Sequence, residues 1–153
     1  VRIIVPRFRY HGGGFRRESG FHEEFGMSYV WVALGGALGS IARYGCAGLA
    51  ARWVGATFPW GTMFVNLAGS LLIGFLATLT APDGRLLASP DARAFLLIGV
   101  LGGFTTFSSF SLETLNLVRD GEWLSAAANV VGSVALCLVA VWLGHAGAAA
   151  LNR

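Results

Sequence analysis

The sequence predicts an all-α integral membrane protein with four transmembrane helices, the third of them broken. Three observations carry that reading. The chain is 55% hydrophobic and only 12% charged, with a mean hydropathy of +0.64, more apolar than a soluble domain's surface allows. Four apolar segments each reach the ~20 residues that a helix needs to cross a hydrocarbon core. Within the third, glycine and hydroxyl residues replace aliphatic ones over Gly102 to Ser111.

Residues 1–26 are of another composition. They carry Arg2, Arg7, Arg9, Arg16 and Arg17, the acids Glu18, Glu23 and Glu24, and the run Gly12-Gly13-Gly14. Such a segment reads as disordered or appended. No apolar stretch with a small-residue cleavage site follows the basic region, so it does not read as a signal peptide. The start is expected at Met27, which makes residues 27–153 a four-span membrane domain.

The first span is placed at Val30 to Ala51 and the second at Phe58 to Leu79. The third is placed at Phe95 to Val118 and the fourth at Leu124 to Ala150. Connectors rich in turn residues separate them, including Pro82-Asp83-Gly84, Pro90-Asp91 and Arg119-Asp120-Gly121-Glu122. Trp31, Trp53, Trp60 and Trp123 fall near span ends, where amphipathic rings favour the membrane interface.

Charge argues for a lipid setting over a nucleic-acid one. The net charge of +3 comes mostly from the N-terminal arginines, and no basic patch remains for a nucleic acid. With four spans, Arg85, Arg93 and Arg153 lie on one side, and Arg43, Arg52 and Arg119 on the other. That balance predicts weak orientational bias and room for insertion in both orientations, which makes an antiparallel pair possible. Size points the same way, because four helices can hardly enclose a polar path alone. Gly35-x-x-x-Gly39, Ser70-x-x-x-Gly74 and Gly99-x-x-x-Gly103 offer surfaces for close helix approach, within or between subunits. Cys46 and Cys137 sit in apolar spans without histidine partners, as packing residues.

Polar groups inside the spans are costly and so informative. Arg43 and Glu113 lie toward span ends, where snorkelling and function are equally good accounts. Asn66, with two donors and an acceptor, must find partners, and an interhelical hydrogen bond is the plain expectation. The third span is harder to explain as glue. Gly102-Gly103-Phe104-Thr105-Thr106-Phe107-Ser108-Ser109-Phe110-Ser111 has poor helix propensity throughout and predicts local unwinding. Non-helical backbone at that depth persists only when buried in protein or lining a wet cavity. Freed carbonyls suit a hard cation, and the N-terminus of the resumed helix suits an anion. Phe107 and Phe110, three apart, share a face; packing is the commoner use of such a pair, though ring edges can also meet an anion.

Three segments resemble the CrcB/Fluc fluoride channel family. They are Gly35-Gly36-Ala37-Leu38-Gly39-Ser40-Ile41-Ala42-Arg43-Tyr44, Pro59-Trp60-Gly61-Thr62-Met63-Phe64-Val65-Asn66-Leu67-Ala68-Gly69-Ser70, and the run from Gly102 to Glu113. The resemblance implies an antiparallel, dual-topology homodimer in the cell (inner) membrane that passively exports fluoride and so confers fluoride resistance. It further implies that Phe107 and Phe110 present ring edges to the ion and that Asn66 donates to it. Thr62, Ser108 and Ser111 become hydroxyl partners, Arg43 a vestibule arginine, and Ser133, with Asn129, part of a polar track. The Gly102 and Thr105 carbonyls would hold a structural Na+ at the dimer interface. A drug/proton antiporter of the small multidrug resistance type is the alternative, but it needs an embedded carboxylate in the first span, and none is there. No HExxH, GxSxG or paired intramembrane aspartates suggest an enzyme.

Overall fold

The computed structural model describes residues 19–55 and 57–153, with side chains from residue 27 onward; the expectation for residues 1–18 lies outside it. Among the described residues every regular element is helical. Helix α1 spans Ser19–Val54 and α2 spans Trp60–Leu79. A short α3 (Pro90–Arg93) runs into a π-helical stretch, Ala94–Leu101, and then into α4 (Gly102–Phe104). Helix α5 covers Phe107–Arg119 and α6 covers Trp123–Leu151.

Three runs, Trp60–Leu79, Pro90–Arg119 and Trp123–Leu151, are long and apolar enough to cross a membrane. The first expected span lies inside α1, whose 36 residues are diluted in apolar character by Arg43 and by repeated glycines. Helix α1 also begins upstream of Met27, so helix precedes the span itself. Side chains that a water-soluble fold would bury stand outward: Leu124, Val131, Leu138 and Trp142 of α6 are all exposed. That distribution fits lipid as solvent, because it offers no penalty to an apolar surface.

The connector between α2 and α3 shows how local chemistry sets the helix ends. Ser89 Oγ accepts the Ala92 N–H at 3.2 Å, and Pro90 follows at the first helical position, a pairing that satisfies one orphan donor and presets the backbone. Arg93 donates to the carbonyl and hydroxyl of Thr80, the residue capping α2. Arg85 donates to the Leu151 carbonyl at 3.2 Å. Both guanidiniums thus lie at helix C-termini, where the dipole favours a cation. Ser28 donates to Asp91 at 2.7 Å, and the Arg85 N–H donates to Asn152 at 2.9 Å. The start of the first span, this connector and the C-terminus therefore share one end of the bundle, as four crossings require.

Glycines decide which helices touch. Helix α1 lies along the π-helical stretch and α4, and α2 lies along α6. A Cβ on Gly35 would sit 2.5 Å from the Phe95 carbonyl oxygen, and one on Gly103 2.5 Å from that of Gly36. On the other side of the bundle, Gly74 abuts the Val141 carbonyl and Gly144 the Leu71 carbonyl, both too close for any side chain. Gly35, Gly74 and Gly103 of the small-residue motifs thus make backbone-on-backbone contacts within the chain, packing that hydrocarbon does not itself drive.

Candidate functional site

The helical run that ends with α4 stops at Phe104, and helix resumes at Phe107. Thr105 has φ −81° and ψ 156°, and Thr106 φ −153° and ψ 116°, both extended. Two β-branched residues after two glycines give this backbone little reason to stay helical. Thr106 then caps α5, its hydroxyl accepting the Ser109 N–H at 3.2 Å.

In an unbroken helix each carbonyl receives the N–H four residues on. Here those donors are redirected. The Thr106 N–H donates to Asn66 Oδ1 at 2.7 Å and the Ser109 N–H to the Thr106 hydroxyl, which deprives the Gly102 and Thr105 carbonyls of their helical donors. Asn66 Nδ2 donates back to the Thr106 carbonyl at 3.0 Å, so that the carboxamide pairs with Thr106 as a neighbouring strand would. Arg43 Nε donates to the Gly103 carbonyl at 3.1 Å, replacing a donor from within the helix. The Gly102 and Thr105 carbonyls, left without helical donors, are hard oxygens of the kind a hard cation takes.

Two clefts meet at Thr106. The first, about 300 Å³, is lined by Asn66, Ser70, Gly102, Thr105, Thr106, Phe107, Phe110, Ser133 and Cys137, among others. Phe107 and Phe110 lie here with ring centroids 5.2 Å apart at 46°; Phe110 is 8% exposed and Phe107 76%. The second, about 340 Å³, lies on the other face and is lined by Ser40, Arg43, Tyr44, Thr62, Ser109 and Glu113, among others. The structure thus groups Asn66, Phe107, Phe110, Ser133, Gly102 and Thr105, and separates Thr62 and Arg43 from them. Ser108 and Ser111 are exposed on α5 and line neither cleft.

The hydroxyls are already engaged. Thr62 donates to Glu113 Oε1 at 2.8 Å, Ser111 to the Phe107 carbonyl at 2.9 Å, and Ser133 to Asn129 Oδ1 at 3.2 Å. Ser108 shares a 3.2 Å contact with Thr106. Each must rotate to serve an ion, which a hydroxyl does readily.

Several residues gain a place that the sequence did not reveal. Asn129, 1% exposed, donates to Thr114 Oγ1 at 2.8 Å, and Thr114 donates to the Phe110 carbonyl at 2.7 Å. A relay of hydrogen bonds thus runs from Ser133 on α6 to the backbone beneath Phe110. Glu113 Oε2 is buried with no partner among the described residues, although Arg43 lines the same cleft. The π-helical stretch, Ala94–Leu101, lies just ahead of the break; such irregular turns gather at functional sites, but Ala94-Phe95-Leu96-Leu97 is indistinguishable in pattern from any apolar helix.

A broken membrane helix flanked by two clefts that carry a few polar groups on mainly apolar walls, on a scaffold of glycine-packed helices, suits an ion-handling integral membrane protein. The family described as CrcB-like protein, Camphor Resistance (CrcB), matches over residues 30–145, and the chain belongs to it. It is 64% identical over 124 residues to the Fluoride-specific ion channel FluC of Opitutus terrae, across 81% of this chain and 94% of that protein. It is 57% identical to that of Rhodospirillum rubrum, over 83% of this chain and 98% of the relative. For Paramagnetospirillum magneticum the identity is 54%, over 83% and 99%.

Proposed function

We propose that the chain is a fluoride-specific ion channel that passes the ion out of the cytoplasm across the inner membrane, working as an antiparallel homodimer of dual topology. The observation that carries this is 64% identity to a fluoride-specific channel across nearly its whole length, combined with the cleft where Asn66, Phe107 and Phe110 converge.

Fluoride is small and strongly hydrated, so a selective path has to replace its water with many modest donors. The cleft supplies them. Asn66 spends one Nδ2 hydrogen on Thr106 and keeps the other for the ion. Ring edges of Phe107 and Phe110 add weak positive partners without a fixed charge. The first turn of α5, beginning at Phe107, directs backbone N–H groups at the same region. The Ser133 hydroxyl joins on rotation, Thr62 and Arg43 serve the approach from the second cleft, and Ser108 and Ser111, exposed on α5, serve the path outside both clefts. A neutral lining lets the ion leave as well as enter, where a lysine would trap it. The Gly102 and Thr105 carbonyls hold a Na+ between subunits; bound there, it would supply a fixed charge that ties the two breaks together.

The test is fluoride efflux from liposomes holding the purified chain, with chloride as the comparison. Fast fluoride efflux with little chloride is expected. Equal permeation, or none, would remove the channel reading.

A further inference from the structure

The break needs something to hold it open. Low helix propensity permits it, but the Thr106 N–H lies four residues past the Gly102 carbonyl and, in an apolar setting, an unpartnered amide of this kind is costly enough to seek the nearest acceptor. Asn66 prevents that by accepting the Thr106 N–H at 2.7 Å while donating to the Thr106 carbonyl at 3.0 Å. Both backbone groups of Thr106 are thereby satisfied in the extended conformation, φ −153° and ψ 116°. The Gly102 carbonyl is left without its helical donor.

We infer that Asn66, besides facing the anion cleft, is a positioning residue for a monovalent cation at the Gly102 and Thr105 carbonyls. This rests on the cation site under Proposed function. The two atoms of the carboxamide have separate tasks. The oxygen keeps the Thr106 N–H away from Gly102, so the carbonyl stays available as a ligand. The nitrogen anchors the Thr106 carbonyl, and its second hydrogen faces the cleft. An Asn that only bridged two helices would affect stability without altering the response to a cation; one that only touched fluoride would affect flux alone.

Purified protein in detergent is titrated with sodium chloride against N-methylglucamine chloride, and the thermal midpoint is followed for wild type, Asn66→Asp, Asn66→Leu and, as a control in the same cleft, Cys137→Ala. Asp retains the acceptor for the Thr106 N–H, whereas Leu removes it. Wild type and Cys137→Ala are expected to share one half-saturating sodium concentration, and Asn66→Asp, which keeps the acceptor but loses the donor to the Thr106 carbonyl, to fall between them and Asn66→Leu. Asn66→Leu is expected to need at least about tenfold more sodium, the effect of losing one hydrogen bond to a buried group. Should Asn66→Leu fail to fold, Asn66→Ala takes its place, and amide exchange at Thr106 in wild type, slow because of Asn66 Oδ1, gives a readout free of substitution. Wild-type sodium dependence in both Leu and Ala variants, or fast exchange at Thr106, overturns the inference. No sodium response in wild type overturns the cation site together with it and leaves fluoride conduction to its own liposome measurement.

Discussion

The two clefts that meet at Thr106 are lined by different chemistry. The one holding Asn66, Phe107 and Phe110 has no ionisable carboxylate or guanidinium among its lining residues. The one holding Thr62 has both Arg43 and Glu113. In the charged cleft the guanidinium is tied to the Gly103 carbonyl, bracing the backbone, and one carboxylate oxygen to the Thr62 hydroxyl. A bilayer-depth charge is tolerable when it is held in this way. The neutral cleft is free to bind weakly and release, which is what conduction requires. Charged groups hold the break on one side, and on the proposed reading neutral donors meet the ion on the other.

The comparison breaks most sharply at Phe110, buried against the end of the Ser133 relay. Phe110→Ile removes the ring edge but keeps the apolar bulk, and is expected to lower fluoride efflux from liposomes by about a hundredfold or more, since selective transport depends on such contacts. Retained flux would move the ion path to the charged cleft. In that cleft, Thr62→Val leaves Glu113 Oε1 as unpartnered as Oε2 already is. A loss of roughly 1–3 kcal/mol in detergent unfolding follows from stranding a buried acceptor, with the fluoride-to-chloride ratio unchanged. An altered ratio would place Thr62 in the selective stretch and not only on the approach.

Away from both clefts, Gly144→Ala should separate α6 from the Leu71 carbonyl at a cost of about 1–3 kcal/mol by overpacking, measured as a lower unfolding midpoint with selectivity intact. The smallest effect is expected at Arg85, whose hydrogen bond to the Leu151 carbonyl is exposed. Arg85→Ala should cost no more than about 1 kcal/mol, and a larger loss would show that the connector locks the bundle end.

The arginines refine the question of orientation. Arg43 was counted with the connector residues on one side, yet its guanidinium lies beside Gly103 inside the bundle. Arg52 and Arg119 then stand alone against Arg85, Arg93 and Arg153. Arg85 and Arg93 in turn are drawn to helix ends, where they satisfy carbonyls as well as mark a membrane face.

How much was legible differs between fold and site. Span length and hydropathy depend on composition alone, and a helix satisfies its own backbone, so the helical segments could be placed from the chain near the ends they have: α2 begins at Trp60 and α6 at Trp123. The Thr105-Thr106 irregularity was legible too, because glycine pairs and β-branched pairs weaken a helix locally. The motif residues around it carried a family likeness that the comparisons then established.

What the sequence could not determine is partnership across elements. Asn66 and Thr106 are 40 positions apart, Thr62 and Glu113 51, and Arg43 and Gly103 60; only packing decides which of the available acceptors each donor meets. The π-helical stretch was hidden because its residues are uniformly apolar, and a wider turn leaves no trace in such a pattern. The glycine motifs announced close approach but not with what, and the fold uses glycines within the chain, Gly74 and Gly144 between α2 and α6 and Gly35 and Gly103 between α1 and the third span. The sequence by itself determined a membrane protein with a weak point in its third span, since solvent preference and backbone propensity are local. Tertiary structure alone decided that Asn66 and Arg43 would hold that weak point, because a hydrogen bond depends on distance in space, not along the chain.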